Sequence, residues 1–423
     1  MKTCQRSFNA GNEVVEDYYN TLQRYSTLYR ILLSRAYSTE TTFNQWNRID
    51  LKLVNELGLT LTHLQKKNCW LEIDCHLLVE KNGHFFTCTE YQIACRPLQH
   101  DAWEFNSNSD IAGFHHDSEG DFEYMISNID EAFVSDPQQH YYIQIFPTCK
   151  PQQIIQAFPL VIGPIAIEDQ QTTVHHSNQW CDNRVLSQSI FHACCVQEHT
   201  FLVIKENWEL GTPGKMWDSA LVLSQMFSDK IKSDPTRFKN HRILDLSAGT
   251  GCVGLLMAKL YKEIYDENKE YLPQITMTDL PHALDLIYQN RATNHLEGYT
   301  EIQALTWGNY DDVKTLLLKG PIDIIIASDV LYEPSSFSKL VQTLDWLSAA
   351  VKNIDIFLGY KRRGLSREDE QSFFQICAEK FHINILPIQP DNKLITNEGW
   401  IVGGGFSNIF KETGVNIYQL VRK

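Results

Sequence analysis

The sequence predicts an α/β protein with a mostly parallel sheet in its C-terminal half and an additional N-terminal α+β domain. From Lys239 onward, apolar segments of strand length alternate with helical periodicity, which is typical of a parallel sheet with helices on both faces. The stretch 242–254 has the pattern of a strand, a turn of small residues and a helix, and such a turn exposes backbone N–H groups to a ligand. A length of 423 residues suits two domains, which we place at 1–170 and 185–423.

Composition and charge limit the classes of partner. The formal net charge is −15, and because phosphate binding requires a basic face, we expect no nucleic acid partner. No apolar segment approaches the roughly 18 residues of a membrane span, and the first residues lack the apolar core of a secretory signal. We therefore expect no membrane contact and a cytoplasmic location, with the nucleus as an additional one. The eleven cysteines contain no C-x-x-C pair, which predicts reduced thiols and no metal site.

The N-terminal region combines helical and strand patterns. Apolar residues spaced three and four apart predict helices, alternation predicts strands, and Asn82-Gly83 predicts a hairpin turn. The predicted elements are a helix over 18–32, a second helix over 51–57, a strand over 71–79, a return strand over 84–94 and a strand pair over 185–204. Polar residues at 168–179 indicate the connection between the two domains.

The C-terminal half predicts seven strands separated by helices. The predicted strands cover 243–246, 274–279, 301–305, 321–329, 354–359, 381–386 and 415–421. In a parallel sheet, ligands bind at the carboxyl ends of the strands, so polar residues at those ends are the candidate site residues.

The residues at the first two strand ends indicate the class of ligand. Asp245 precedes the small-residue turn, where a carboxylate would repel a pyrophosphate and attract a cation. Asp279 ends the second strand, where a carboxylate can accept both hydroxyls of a ribose. The turn lacks the lysine of a nucleoside triphosphate loop. These features favour S-adenosylmethionine, a sulfonium that carries a ribose and an amino-acid tail.

Five motifs then follow in a fixed order. They are Trp-Asp-Ser-Ala from Trp217, Gly-Thr-Gly from Gly249, Thr-Asp ending at Asp279, Leu-Thr-Trp-Gly around Trp307, and Ser-Asp-Val-Leu-Tyr from Ser328. This set resembles the seven-β-strand, class I, S-adenosylmethionine-dependent protein-lysine methyltransferases of methyltransferase family 16. The branch that it resembles modifies chaperones, the valosin-containing ATPase and translation elongation factors. The resemblance covers about 185–423 and implies a Rossmann-like seven-stranded sheet whose last strand inserts antiparallel between the fifth and sixth.

The resemblance also implies roles for individual residues. Asp329 would orient the ε-amine of a substrate lysine, and Tyr332 would wall the lysine channel. The implied cofactor-binding residues are Trp217, Asp245, Ser247, Ala248, Gly249, Gly251, Asp279, Trp307 and Ser328. One of them departs from the family pattern, because Ser247 stands where glycine is commoner.

The expected function is transfer of a methyl group from S-adenosylmethionine to a lysine of a non-histone protein, by a monomer. The substrate class implied is a chaperone, an ATPase or a translation factor. Two alternatives stay open: another acceptor (histidine, arginine or a small amine), or a cofactor-binding adaptor that transfers no methyl group. The basic cluster 360–363 either positions an acidic flank of the substrate or is a solvated helix start. The N-terminal region either recognises the substrate or only packs against the core.

Overall fold

A computed structural model describes most of the chain. The described residues are 28–61, 70–98, 112–115, 117–129, 139–148, 156–168, 185–197, 200–265, 269–349, 354–387 and 413–423. The polar connection predicted at 168–179 lies outside them except for Glu168. The described strands form two large sheets and one two-stranded ladder.

The first large sheet has 13 strands. The N-terminal strands are β1 Leu28–Leu33, β2 Tyr37–Ser38, β3 Glu40–Thr42, β4 Asn47–Val54, β5 Trp70–Lys81, β6 His84–Thr87, β7 Tyr91–Pro97, β8 Gly113–His115, β9 Glu119–Asn128, β10 His140–Pro147, β11 Gln156–Phe158, β12 Leu160–Glu168, β13 Leu186–Ser187, β14 Ile190–Gln197 and β15 Thr200–Glu206. Strands β2 and β13 form the separate ladder. The described part of this region is built of strands, with no α-helix between 28 and 206 in the residues that the structure describes.

Six of these strands close into an antiparallel barrel. Strand β5 pairs with β6 on one side and with β10 on the other, and the pairing continues through β12, β14 and β15 back to β6. Every strand of the ring contributes to one buried apolar cluster, which comprises Leu78, Phe85, Tyr142, Val161, Phe191, Ala193, Phe201 and Val203. Closure satisfies the edges of these strands, and the shared cluster fills the interior.

Two predicted N-terminal helices are wrong where the structure describes them. Residues Leu28–Leu33 of the first form strand β1, which is buried on both faces and therefore reads as a continuous apolar run. Residues of the second lie in β4, where Ile49, Leu51 and Leu53 are buried and alternate with more exposed polar side chains. Ile49, Leu51 and Leu53 follow the two-residue period of a strand. Leu51, Val54 and Leu57 are three residues apart, a spacing that resembles that of a helix. Residues 18–27 of the first helix lie outside the described part.

The hairpin prediction at Asn82-Gly83 is confirmed. Both residues have positive φ, 55° and 76°, as the favoured two-residue turn requires, and they connect β5 to β6. The predicted return strand is wrong in its length, because β6 ends at Thr87 and the next strand, β7, pairs with β9 instead. The strand pair predicted at 185–204 is present as β14 and β15.

The second large sheet confirms the seven-stranded fold. Its strands are β16 Arg242–Leu246, β17 Gln274–Asp279, β18 Thr300–Ala304, β19 Ile324–Ser328, β20 Asp355–Tyr360, β21 Phe381–Leu386 and β22 Asn416–Arg422, in the order β18-β17-β16-β19-β20-β22-β21. Strand β22 runs antiparallel between β20 and β21, and the remaining pairs that do not involve it are parallel. The helices are α1 Asp218–Ser233, α2 Cys252–Tyr265, α3 Leu284–Thr293, α4 Tyr310–Leu317, α5 Phe337–Ser348 and α6 Arg367–Lys380.

Two asparagines join the sheets. Asn290, in α3, and Asn294, at its end, are fully buried and each forms two hydrogen bonds with the backbone of β15. Asn294 accepts from Val203 N at 2.9 Å and donates to Val203 O at 2.7 Å. Asn290 does the same at Lys205, at 2.7 and 3.0 Å. The amides thus satisfy backbone groups of β15 that would otherwise be buried without partners.

Candidate active site

A cleft opens at the carboxyl ends of β16, β17 and β19, where the strand order of the sheet reverses. Its cavity volume is about 220 Å³. Ten of the predicted site residues line it, namely Trp217, Asp245, Ser247, Ala248, Gly249, Asp279, Trp307, Ser328, Asp329 and Tyr332. Gly251 is not among them; a Cβ there would come within 3.1 Å of Ile287, so this glycine allows close packing against α3. The structure thus brings the predicted residues to one place, which is where an open α/β sheet binds its ligand.

The small-residue turn after β16 has the backbone conformation that favours glycine. Ser247, Gly249 and Gly251 have φ values of 60°, 58° and 79°. Ser247 is therefore a strained position for a residue with a side chain. Its hydroxyl accepts a hydrogen bond from the indole Nε1 of Trp307 at 3.0 Å. The residue that departs from the family pattern thus connects the turn to the predicted adenine-binding tryptophan.

Asp279 is positioned by two backbone donors. Its Oδ2 accepts from Gly249 N at 2.8 Å and its Oδ1 from Leu280 N at 2.7 Å. Burial raises the pKa of this carboxyl, and these two N–H groups oppose the rise. Each oxygen keeps a further lone pair, so the carboxylate can still accept the two hydroxyls of a ribose.

Asp245 carries a buried oxygen with no hydrogen-bond partner. Its Oδ2 accepts from Gly254 N in the first turn of α2 at 3.0 Å, whereas its Oδ1 has none. The residue is 1% exposed, and burial, with a smaller contribution from Asp279, raises its pKa to about 7. An unpaired buried carboxylate oxygen at a ligand cleft calls for a donor, preferably a cationic one. The ammonium group of S-adenosylmethionine meets that need, so the residues present fit this cofactor.

Aromatic side chains form the walls of the cleft. The rings of Trp307 and Tyr332 lie 6.1 Å apart at an angle of 50°, and Tyr332 is 52% exposed. Trp217 donates from Nε1 to Thr212 O at 2.9 Å, which fixes its ring beside the loop before α1. These rings offer flat apolar surfaces for an adenine and for the methylene chain of a lysine.

The loop before α1 is itself anchored by Glu206, a residue to which the sequence analysis gave no role. Its carboxylate accepts from His192 at 3.0 Å, from Trp208 Nε1 at 2.8 Å and from Met216 N. Burial opposes ionisation of Glu206, but His192 and the two N–H donors outweigh it and lower its pKa. Glu206 therefore binds both ends of the loop that carries Pro213 and Lys215 into the cleft.

Asp329 lies at the end of β19 with a left-handed backbone, φ 53°. Both carboxylate oxygens are held by Arg363, with Nη1–Oδ1 2.6 Å and Nη2–Oδ2 2.8 Å. Oδ2 also accepts from Ser219 N at 3.1 Å. Of the roughly four lone-pair positions of a carboxylate, one on Oδ1 is left for a substrate. The residue predicted to orient the amine is thus itself oriented by three donors.

Arg363 belongs to a buried group of charges that sequence reasoning missed. We call it the six-charge network; it consists of the cations Arg30, Lys361 and Arg363 and the anions Glu56, Asp218 and Asp329. Glu56 accepts from Lys361 at 2.8 Å and from Arg363 Nε at 3.2 Å. Asp218 binds Arg30 and Lys361, each at 2.5 Å. Burial opposes ionisation of Asp218, but these two cations outweigh it and lower its pKa below the usual value.

Both interpretations of the basic cluster 360–363 are therefore wrong for Lys361 and Arg363. Lys361 is 2% exposed and Arg363 is largely buried, so neither is a solvated helix residue or free to bind a substrate. Arg362 is the more exposed member and lies 3.7 Å from Glu370. The signal that could have revealed the network was the density of cations directly after a buried strand, since buried charges require partners.

Two kinds of feature are absent from the described residues. No helix among them is both long and apolar enough to cross a membrane. No group of three or more histidine, cysteine or acidic side chains in the described ranges is arranged to bind a metal ion.

Comparison with known proteins places this site in a family. A family model described as lysine methyltransferase matches residues 196–380. EEF1A lysine methyltransferase 3 of Xenopus tropicalis is 29% identical over 214 residues, which is 50% of this chain and 76% of that protein. Protein N-lysine methyltransferase METTL21A of Danio rerio is 33% identical over 150 residues, 34% of this chain and 61% of that protein. Histone-arginine methyltransferase METTL23 of Homo sapiens is 27% identical over 178 residues, 42% of this chain and 86% of that protein.

The matched residues contain strands β16 to β20, all five motifs in order, and the cleft with its carboxylates. The model begins within β14, so the strands before it lie outside the match. The motifs, the strand order and the match agree, and residues 196–380 are a domain of the lysine methyltransferase family, as the sequence resemblance implied.

Proposed function

We propose that this chain transfers a methyl group from S-adenosylmethionine to the ε-amine of a lysine in a non-histone protein. One observation carries the proposal: the unpartnered buried oxygen of Asp245 lies in the same cleft as Asp279, Asp329 and Tyr332. A cation and a ribose fit the first two carboxylates, and an amine fits the third. The cleft therefore has room and partners for a cofactor and an acceptor together.

Three residues would hold the cofactor. Asp245 would accept from its amino group, Asp279 from its ribose hydroxyls, and Trp307 would lie against its adenine. When bound, S-adenosylmethionine supplies an electrophilic methyl group to an amine that is in line with it.

The protein must present the lysine as a neutral amine. With an ordinary pKa near 10.4, deprotonation at neutral pH costs about 4.6 kcal/mol. A lone carboxylate would increase that cost, because it stabilises the ammonium. Asp329 is instead neutralised by Arg363, so it can accept one hydrogen bond from the amine without holding the proton strongly. Asp329 thus orients the nucleophile, and the rings of Trp307 and Tyr332 limit the access of water.

The substrate that we propose is a translation elongation factor or a chaperone in the cytoplasm. A relative named for EEF1A and another named only as a protein N-lysine methyltransferase support a protein acceptor. The net charge of −15 favours a basic or lysine-rich surface on that substrate. We further propose that the enzyme acts as a monomer and that the N-terminal sheet contributes to recognition.

Arginine is the second candidate acceptor, because one relative is named a histone-arginine methyltransferase. A guanidinium presents several N–H donors in a plane and is bound best by acceptors that match them. In this cleft the carboxylate of Asp329 has one lone pair left, on Oδ1. One free lone pair suits a single N–H of an amine better than the several N–H groups of a guanidinium, so we favour lysine as the acceptor.

The test is incubation of the pure protein with labelled S-adenosylmethionine and a cell lysate, beside Asp329→Asn and Asp329→Ala. A labelled band that is lost in both variants supports the proposal, and mass spectrometry of the band distinguishes lysine from arginine or histidine. Asp329→Asn keeps the shape of the side chain but leaves the six-charge network one anion short, so the Tm of both variants is measured to separate lost chemistry from lost folding. If the wild-type protein binds the cofactor by calorimetry but labels no protein, the adaptor or a non-protein acceptor takes the place of this proposal.

A further inference from the structure

The six-charge network joins the N-terminal sheet to the cleft. Arg30 comes from strand β1 of the sheet and Glu56 from the turn after β4, whereas Asp218, Asp329, Lys361 and Arg363 come from the methyltransferase domain. We propose that Glu56 is a positioning residue for methyl transfer: it holds Arg363, and Arg363 holds the carboxylate of Asp329 in the cleft. This inference rests on the function proposed above and names a residue outside the matched range 196–380 that the site requires.

Glu56 is placed by a rigid turn directly after β4. The side-chain oxygen of Asn55 accepts from the backbone N–H of Leu57 and Leu59 at 3.0 and 2.9 Å, and the backbone N–H of Asn55 donates to Leu59 O at 2.9 Å. Gly58 lies against Trp208 of the loop before α1, where a Cβ would come within 3.1 Å of the indole. The turn therefore holds its backbone by local hydrogen bonds and packs directly on the methyltransferase domain.

The surroundings of Glu56 contain more positive than negative charge. Its carboxylate lies 2.8 Å from Lys361 Nζ, 3.2 Å from Arg363 Nε and 3.8 Å from Arg30 Nη1. The residue is 1% exposed, so water cannot replace it. Three cations balance three anions as long as Glu56 is charged, and loss of its charge leaves a net positive charge buried. Uncompensated buried charge forces rearrangement, because it is costly to keep in place.

We expect Arg363 to be the side chain that moves. This side chain has two carboxylate partners, Glu56 through Nε and Asp329 through both terminal nitrogens. Its guanidinium also lies 4.9 Å from the centre of the Trp217 ring. Without Glu56, Arg363 keeps only Asp329 and the backbone carbonyl of Lys361, at 3.2 Å, as hydrogen-bond acceptors, and its Nε loses its partner. Three cations then share two anions. The free lone pair of Asp329 Oδ1 then loses its fixed direction.

Methyl transfer depends on the direction of this lone pair, because the lone pair orients the amine. Because the step needs the amine in line with the methyl group, a misplacement of about 1 Å can lower the rate about a hundredfold. Cofactor binding uses Asp245 and Asp279, which lie outside the six-charge network. The inference therefore predicts a loss of turnover without a matching loss of cofactor affinity.

The experiment compares full-length Glu56→Gln with Glu72→Gln, since Glu72 is another buried glutamate of the same sheet and outside the network. We expect Glu56→Gln to lower kcat about 10- to 100-fold and to leave the Kd for S-adenosylmethionine within about twofold. Glu72→Gln should leave kcat within about twofold even if it lowers the Tm. Glu56→Asp, which keeps the charge on a shorter side chain, should recover part of kcat.

A double-mutant cycle separates positioning from general destabilisation. If Glu56 acts through Asp329, Glu56→Gln in an Asp329→Asn background should lower kcat by less than about twofold further. Losses that multiply in the double variant, or equal losses of kcat in Glu56→Gln and Glu72→Gln, would overturn the inference. A crystal structure of Glu56→Gln gives a second readout that needs no activity. An intact two-bond contact between Arg363 and Asp329 would overturn the inference; a broken one supports it even if the proposed function fails.

Discussion

Arg363 binds the carboxylate of Asp329 with both of its terminal guanidinium nitrogens, at 2.6 and 2.8 Å. The pair lies at the end of β19, and Asp329 has a left-handed backbone there, with φ 53°. An aspartate in that conformation stores strain, which persists only where surrounding contacts enforce it. The contacts are the arginine, Ser219 N on the carboxylate, and the hydrogen bond from Asp329 N to Gly359 O at 2.9 Å. These contacts fix the direction of the Asp329 carboxylate, and the guanidinium of Arg363 balances its negative charge.

Arg363→Gln is expected to change the pH dependence of methyl transfer. Loss of the guanidinium leaves the Asp329 carboxylate unpaired, and an unpaired carboxylate stabilises the ammonium form of the substrate lysine. The substrate pKa then rises, so the rising limb of kcat against pH should move to higher pH by about one unit or more. Near neutral pH, kcat should fall about 10- to 100-fold. The measurement is kcat from about pH 7 to about pH 10 with saturating substrates.

Arg362→Gln is the matched control for that profile. Arg362 precedes Arg363, is more exposed and lies 3.7 Å from Glu370, so its charge is screened by water. Its variant should keep the wild-type profile. A profile for Arg363→Gln that fell in height but kept its midpoint would contradict the proposed neutralisation of Asp329.

Much of the methyltransferase domain could be predicted from the sequence because its signals are local. Each strand is a short apolar run that ends in a polar residue, and Asp245, Asp279 and Asp329 each lie at such an end or directly after it. Carboxyl ends of neighbouring parallel strands meet at one edge, so strand assignments alone brought these residues together.

The six-charge network could not be predicted in the same way. Glu56 and Arg363 are separated by 307 positions, and nothing in the residues around either one points to the other. Strand β1 was missed because it is buried on both faces, and a short apolar run gives no period. The barrel was missed because its closure depends on the pairing of β5 with β10, which is distant in sequence.

Asp245→Asn should stabilise the ligand-free protein and weaken cofactor binding. The folded-state pKa of Asp245 is raised from 3.8 to about 7 by burial. Between those values the folded state holds a proton that the unfolded state has lost, so this group costs stability increasingly as pH rises from about 4 to about 7. At about pH 8 the full cost applies, a few kcal/mol at about 1.4 kcal/mol per unit. The asparagine removes it, and Tm should rise by several degrees at about pH 8 and less at about pH 5.

The same variant should bind S-adenosylmethionine at least about tenfold more weakly, because the amino group of the ligand loses its anionic partner. For the wild-type protein the Kd should fall as pH rises from about 6 to about 8, as Asp245 ionises. Calorimetry measures both. Asp285→Asn, at an exposed aspartate of α3, is the control and should change neither quantity. Equal Tm changes at the two pH values would contradict the raised pKa.

Ser247→Gly and Ser247→Ala should differ although both remove the hydroxyl. Each variant loses the hydrogen bond from Trp307 Nε1, worth about 1 kcal/mol. Glycine also relieves the strain of φ 60°, which is about 1–2 kcal/mol for a residue with a Cβ, whereas alanine keeps it. Ser247→Gly should therefore have nearly the wild-type Tm, and Ser247→Ala a lower one. The measurement is the Tm of both variants by thermal unfolding. A glycine variant less stable than the alanine variant would show that the turn is unstrained.

Deletion of residues 1–170 should not give a soluble methyltransferase core. It removes Arg30 and Glu56, and Lys361 and Arg363 would then keep only Asp218 and Asp329 as partners in the six-charge network. It also removes β12 and β6, the neighbours of β14 and β15, and exposes two strand edges. The remaining two cations and two anions still balance, but Lys361 and Asp218 each lose one ion-pair partner, and the exposed strand edges favour aggregation. The measurement is soluble yield and cofactor binding of the truncated chain beside full-length Glu56→Gln. A soluble, cofactor-binding core with wild-type kcat would show that the N-terminal sheet neither stabilises the domain nor completes its site.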